Sequence, residues 1–191
     1  MRIFVVADVH GSPRAKQMIR EGLTRHRPDV FVLAGDITHN CPLSFAEEFL
    51  QGLAVPTLAV PGNNDPREIL AVLDRCAVNL HGRKAVVAGR TFVGIGGANP
   101  TPFGTPFELS EGEIGDALRK VMEPGAILVS HPPPHGFVDV VRSGEHVGST
   151  AIRAIVDEFE PPLVLCGHIH EARGVAQHGK TTIVNPGAAQ E

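Results

Sequence analysis

The chain has 191 residues, enough for one domain with a full core and too few for two generous ones. Its formal charge is -4 and its 17 Lys and Arg are scattered, which argues against sustained nucleic-acid binding or an acidic-membrane partner. No apolar run approaches the roughly 20 residues of a membrane helix, and no cleavable leader precedes the first apolar segment, so a soluble protein without membrane association is expected.

Residues 2–7 read as a strand that runs into Asp8-Val9-His10, and Pro13 opens a helix carrying Ala15, Met18, Ile19 and Leu23 at helical spacing. A second strand, 29–34, leads to Gly35-Asp36, and a helix follows over 43–51. The third strand, 57–60, leads to Gly62-Asn63-Asn64-Asp65, with a helix from Pro66 to about Cys76. This alternation predicts a parallel core with right-handed crossovers. The second half begins with strands near 84–88 and 91–95, joined by a tight hairpin at Ala88-Gly89-Arg90. A Gly/Pro/Phe loop over about 97–109 precedes a helix near 111–122. A strand at 126–130 then ends in Ser130-His131, before a proline-rich loop that extends to 148. The chain closes with a helix near 149–159 and strands at 163–167, 173–177 and 181–184, the first of which leads through Cys166 into Gly167-His168-Ile169-His170. The expected architecture is an α/β sandwich of two sheets, each covered outside by helices, in a single domain over residues 1–191. The two long loops are candidates for a substrate rim.

Three cysteines, Cys41, Cys76 and Cys166, lack any Cys-x-x-Cys spacing, and an odd count argues against a disulfide framework. A reducing cytoplasm fits that usage. Cys166, at the end of an apolar strand, reads as a small buried hydrophobe.

Five strand exits thus end in carboxylate, imidazole or amide side chains. Any one of them has an ordinary explanation: a lone Asp there is usually a cap or turn former, and Asn63 stands in a run of turn-prone residues. Together they mean more, because parallel strands deliver their C-terminal ends to one edge of a sheet. A ligand set of oxygen and nitrogen without thiolate suits Mn, Fe, Ni or Zn. Of the other histidines, His26, His81 and His178 read as solvated, whereas His39 stands close enough to Asp36 to reach a site there.

The order D-x-H, G-D, G-N-x-D, a lone His and G-H-x-H resembles the calcineurin-like metallophosphoesterase superfamily across nearly the whole chain. The resemblance implies a four-layer α/β/β/α sandwich of two mixed sheets and two divalent metal ions, Mn foremost. By that likeness Asp8, His10 and His170 hold one ion, Asn63, His131 and His168 the other, and Asp36 bridges them. A shared carboxylate and hydroxide would hold the ions about 3.5–4 Å apart for in-line attack at phosphorus. The chain departs from the commoner pattern at Asn64, where many members carry a histidine thought to assist the leaving group. Asn can hydrogen-bond a phosphate oxygen but cannot deliver a proton at neutral pH. Small prokaryotic-type phosphodiesterases of the superfamily share this departure. His135 and His146, in the loop after His131, are candidate replacements, and Asp65 is expected to brace its loop. The expected activity is hydrolysis of a small phosphodiester or nucleotide-type substrate. The alternatives are a phosphomonoesterase or phosphoprotein phosphatase, and an interaction scaffold resembling the degenerate subunit of the retromer coat.

Overall fold

The computed structural model describes residues 1–189. In chain order it contains β1 (Ile3–Val6), α1 (Pro13–His26), β2 (Val30–Ala34), α2 (Leu43–Leu50), β3 (Thr57–Val60), α3 (Ile69–Cys76), β4 (Val78–Asn79), β5 (Arg83–Val87) and β6 (Arg90–Ile95). It continues with α4 (Glu111–Arg119), β7 (Ile127–Ser130), α5 (Thr150–Phe159), β8 (Leu163–Leu165), a 3-10 turn at His170–Ala172, β9 (Gly174–His178) and β10 (Thr181–Asn185).

Local chemistry sets the helix starts. Ser12 caps α1, its side chain accepting from Ala15 N–H, with Pro13 at the first helical position. Ser110 and Glu113 form a reciprocal capping box at α4, and Ser149 caps α5 by accepting from Ile152 N–H. Helix α3 begins at Ile69, later than Pro66, and α4 ends at Arg119, short of 122.

Two sheets form, in the orders β1-β2-β3-β4 and β5-β6-β7-β8-β10-β9. The second is mixed, its parallel centre flanked by the antiparallel β5–β6 and β10–β9 pairs. The first corrects the expectation of two mixed sheets: all its pairs are parallel, because every connection within it carries a helix. Its fourth strand, of two residues, is too short to show any alternation in sequence.

Three apolar layers account for the packing. Val9, Ile19, Phe31, Leu33, Phe49 and Leu73 fill the space between α1–α3 and the first sheet. Val32, Leu58, Val60, Phe92, Val129 and Leu165 pack between the sheets. Ile114, Leu118, Leu128, Ile152, Ile155 and Val164 join the second sheet to α4 and α5. The order is therefore helix, sheet, sheet, helix. Strands β2, β3 and β7 are buried along their whole length, as continuous Val/Ile/Leu runs demand. Cys166 is buried between Asp8 and β10, and desolvation pushes its thiol up.

Candidate metal centre

The C-terminal ends of β1, β2, β3, β7 and β8 meet at one edge, where bonds within each sheet continue past the strands and His168 N–H crosses from the second sheet to Asp8 of the first. Asp8 N–H donates to Gly35 O (3.0 Å), His10 N–H to Asp36 O (2.8 Å), Gly167 N–H to His131 O (2.9 Å) and His168 N–H to Asp8 Oδ2 (3.0 Å). The backbone turns sharply to do this. Of nine non-glycine residues with positive φ among the described residues, four are Asp8, His10, Asp36 and His168, at 56°, 49°, 51° and 70°. Left-handed backbone at non-glycine residues carries strain, and its concentration at one set of polar side chains marks a functional site. Two glycines make the close approach feasible. A Cβ on Gly62 would strike the Asp36 backbone and carboxylate, and one on Gly35 would strike the His131 ring.

His168 and His170 do not continue the strand that precedes them. His168 is left-handed and His170 starts a 3-10 turn, so the strand ends at Leu165. The rings nevertheless reach different neighbours. His170 Nε2 lies 3.3 Å from His10 Nε2 and 3.3 Å from Asp8 Oδ1, whereas the His168 ring is centred 4.9 Å from that of His131.

Asp8, His10 and His170 offer ligand atoms within 4.8 Å of one another, and so do Asp8, Asp36 and His131. Asp36 stands between the two groups, Oδ2 at 3.7 Å from His10 Nε2 and Oδ1 at 3.6 Å from His131 Nε2. Two details test whether divalent cations fit. Asp8 Oδ1 is buried yet accepts no hydrogen bond from the described residues, an expensive state for a carboxylate oxygen without a cation. His131 gives the second. Its Nδ1 lies 2.8 Å from Ala34 O, a carbonyl that only accepts, so Nδ1 carries a proton and Nε2 faces the centre. Nε2 is 2.9 Å from Asn63 Oδ1, whose orientation is set by Asn63 Nδ2 donating to Thr105 Oγ1 at 3.1 Å. In the neutral ring Nε2 and Asn63 Oδ1 are both acceptors, and they converge where one divalent cation can meet both. The donor set therefore fits metal at both positions.

Two of the rings are biased toward the neutral form that ligation requires. Burial pushes His168 down to about 3, helped by the neighbouring His131, and burial also lowers His10 against the opposing pull of Asp36 and Asp8. Asp65 is buried and holds the loop together, accepting from Ile37 N–H, Thr38 N–H, Thr38 Oγ1 and Gly62 N–H. Burial, and then the Asp36 charge, still raise its carboxyl to about 6. Asn64 does not extend toward an incoming phosphate as its sequence position implied. Its N–H and Nδ2 clamp the two oxygens of Asp36 at 2.8 and 2.6 Å.

His39 reaches the centre, with Nδ1 3.4 Å from His10 Nδ1. His135 and His146 lie outside the ligand cluster, their rings 5.8 Å apart, and His146 bonds Asp139. His81 is not solvated: its Nδ1 accepts from Gly96 N–H, its ring packs on Phe107, and burial with Arg67 and Arg83 lowers it to about 4. His178 is paired with Asp157 at 2.7 Å, and His26 stacks on Phe4 at the surface. Sequence reasoning missed Thr105, which fixes the Asn63 amide, and Asp139, which stands mid-loop with no strand before it.

A family model for calcineurin-like phosphoesterases matches residues 1–172. An uncharacterized protein of Methanocaldococcus jannaschii is 37% identical over 198 aligned positions, covering 97% of this chain and 88% of its own length. Human metallophosphoesterase domain-containing protein 1 is 29% identical over 158 positions, covering 78% of this chain, which spans about half (48%) of that relative. Among solved structures, the protein TT1561 of Thermus thermophilus superposes with a TM-score of 0.79 at 19% identity, over 100% of this chain and 91% of its own. A dimetal phosphatase from Danio rerio gives 0.68 at 14% identity, covering 100% and 88%, and a novel archaeal phosphodiesterase 0.61 at 14%, covering 100% and 86%. These structural likenesses establish the fold, whereas the family model and the archaeal relative extend along most of the sequence: the chain belongs to the calcineurin-like phosphoesterase family.

Proposed function

We propose that the protein is a phosphodiesterase whose seven polar side chains hold two divalent ions, Mn foremost and Fe, Ni or Zn as alternatives. Asp8, His10 and His170 hold one, Asn63, His131 and His168 the other, and Asp36 bridges them. The observation that carries the reading is the convergence of His131 Nε2 and Asn63 Oδ1, 2.9 Å apart, with Asp8 Oδ1 buried nearby without a hydrogen bond and 3.3 Å from His170 Nε2. When bound, two such ions lower the pKa of a shared water to near neutrality and polarise the phosphoryl oxygens.

The chain's own residues do the positioning. Asn64 and Asp65 fix the turn that carries Asn63, and the Ala34 carbonyl fixes the His131 tautomer. The cavity over the centre, about 640 Å³, is lined by His10, Asp36, Asn64, Phe103, Thr105 and His168 among others, and by no Lys or Arg among the described residues. A monoester dianion would find no side-chain cation there, which favours the singly charged diester. Adjoining space for a second ester group supports the same choice. The substrate class is a small phosphodiester of nucleotide type, at a site without the polybasic surroundings that long nucleic acids need.

The test is a panel of phosphomonoesters and phosphodiesters assayed with Mn, Ni, Zn and Mg in turn. Diester hydrolysis that is lost with chelator and restored by Mn supports the reading. Turnover of monoesters alone points to a phosphatase, and metal content well under one equivalent with no gain on added Mn points to a scaffold.

A further inference from the structure

The loop between β7 and α5 folds back on itself as a small hairpin. Val141 N–H donates to Glu145 O at 3.0 Å, Val147 N–H to Asp139 O at 3.2 Å, and Val140 bridges to His146. This places Asp139 and His146 side by side. Asp139 is fully buried; its Oδ2 accepts from Gly136 N–H (2.9 Å) and Gly148 N–H (3.0 Å), and its Oδ1 lies 2.6 Å from His146 Nδ1. So short a contact to a carboxylate needs a proton on Nδ1, which leaves Nε2 free to face outward. The buried negative charge also offsets the positive charge of the ring when both nitrogens are protonated.

His146 is exposed and lines a cavity of about 810 Å³ whose walls include Phe103, Val141, Ile169 and His168. Phe103 and His168 also line the cavity over the metal centre, so the two spaces adjoin. Phe103, 83% exposed, stands on the wall that the two cavities share. The chain meanwhile has Asn64 where an imidazole would protonate a leaving group, and that Asn is engaged with Asp36. An oriented imidazole and a partly apolar cavity therefore adjoin a centre whose Asn64 cannot give a proton.

We propose that this cavity takes the departing alcohol half of the diester and that His146, positioned by Asp139, protonates its oxygen. The inference rests on the phosphodiesterase reading above. As a water oxygen bonds to phosphorus, the P–O bond to the departing group breaks and its electron pair stays on that oxygen. The oxygen takes the proton from His146 Nε2 and leaves as a neutral alcohol. The attacking water has released a proton to solvent, and the ring regains one from solvent, so one water and one diester give one monoester and one alcohol. The walls formed by Phe103, Val141 and Ile169 suit an alcohol bearing a planar, weakly polar group, such as a nucleoside.

The test measures rate against leaving-group pKa for the Mn-loaded protein and for His146→Gln and Asp139→Asn. Loss should grow with leaving-group pKa, reaching about 10²–10⁴-fold for alkyl alcohols, the range of general acid catalysis, and remaining far smaller for activated aryl esters. Asp139→Asn should steepen the same slope, which a purely structural loop contact would not do. Independently of turnover, a non-hydrolysable phosphonate diester should shift the ring-nitrogen NMR signals of His146 in the protein loaded with diamagnetic Zn. Equal losses across all leaving groups, or an analogue that binds without moving those signals, would overturn the donor role. Failure of the native protein to hydrolyse any diester with any metal would instead overturn the reading on which it rests.

Discussion

Asp36→Asn replaces one carboxylate oxygen by an amide group at the carboxylate that stands between His10 and His131, 3.7 and 3.6 Å away. The centre offers two carboxylates, Asp8 and Asp36, so the change halves its negative charge and removes the group able to bridge two ions. Metal catalysis is worth several kcal/mol, so turnover should fall by at least about 10³-fold, with both metal occupancies reduced. Without metal, two effects on stability oppose each other. Asp65 has its carboxyl raised to about 6, in part by the Asp36 charge. A carboxyl raised in the folded state opposes folding once pH climbs past its unfolded value, fully so above about 6. Removing the Asp36 charge relieves Asp65 at pH 7, but Asn64 N–H and Nδ2 donate to both Asp36 oxygens, and an amide NH2 in place of one of them loses that bond and sets donor against donor. The metal-free variant should therefore be no more stable than the native protein, and excess Mn should widen the gap, since a site at 100-fold over its Kd adds about 2.7 kcal/mol to the native protein and less to the variant. Thermal melts with chelator and with Mn, alongside metal analysis and diester turnover, read all of this. A variant that kept two metals and near-native turnover would refute the assigned bridge.

His168→Ala and His170→Ala should each lose a different metal, because the His168 ring packs on His131 and the His170 ring on His10; anomalous scattering from crystals of the two variants reads this, and loss of the same ion in both would contradict it. Asn64→His breaks the amide clamp on Asp36 and adds an imidazole where a donor already operates from the other cavity. It should therefore leave the leaving-group slope nearly as it is, yet flatten the steeper slope of a His146→Gln background, as measured with aryl and alkyl diesters. His81 supplies a pH prediction away from the centre. Its folded value, about 4, lies below the ordinary 6.5, so its contribution is present above pH 6.5 and lost as pH falls toward 4. That loss should be about 2 kcal/mol after allowing for partial exposure. His81→Asn keeps an acceptor for Gly96 N–H without the titration, so its denaturant midpoint should change less over that range than that of the native protein.

Much of this was legible in the sequence because both signals were periodic or repeated. Buried parallel strands read as apolar runs, and β2, β3 and β7 appear within a residue of their expected bounds. The five polar strand exits converge as parallel topology requires. What escaped was set by long-range geometry. The left-handed backbone at Asp8, His10, Asp36 and His168 leaves no mark in residue type, since β-rich runs before Asp or His occur everywhere. The direction of the Asn64 amide depends on Asp36, 28 positions away. His81 stands among polar neighbours in sequence and is covered by Phe107 from a distant loop. Asp139 joins His146 only because the loop between them turns back on itself.

Whether these side chains hold two ions is read most directly from anomalous difference maps of crystals of the protein loaded with Mn. Two peaks about 3.5–4 Å apart are expected, one beside Asp8, His10 and His170 and the other beside Asn63, His131 and His168, with Asp36 touching both. A single peak, or peaks that leave the His131 and Asn63 pair without a cation, would contradict the dinuclear assignment.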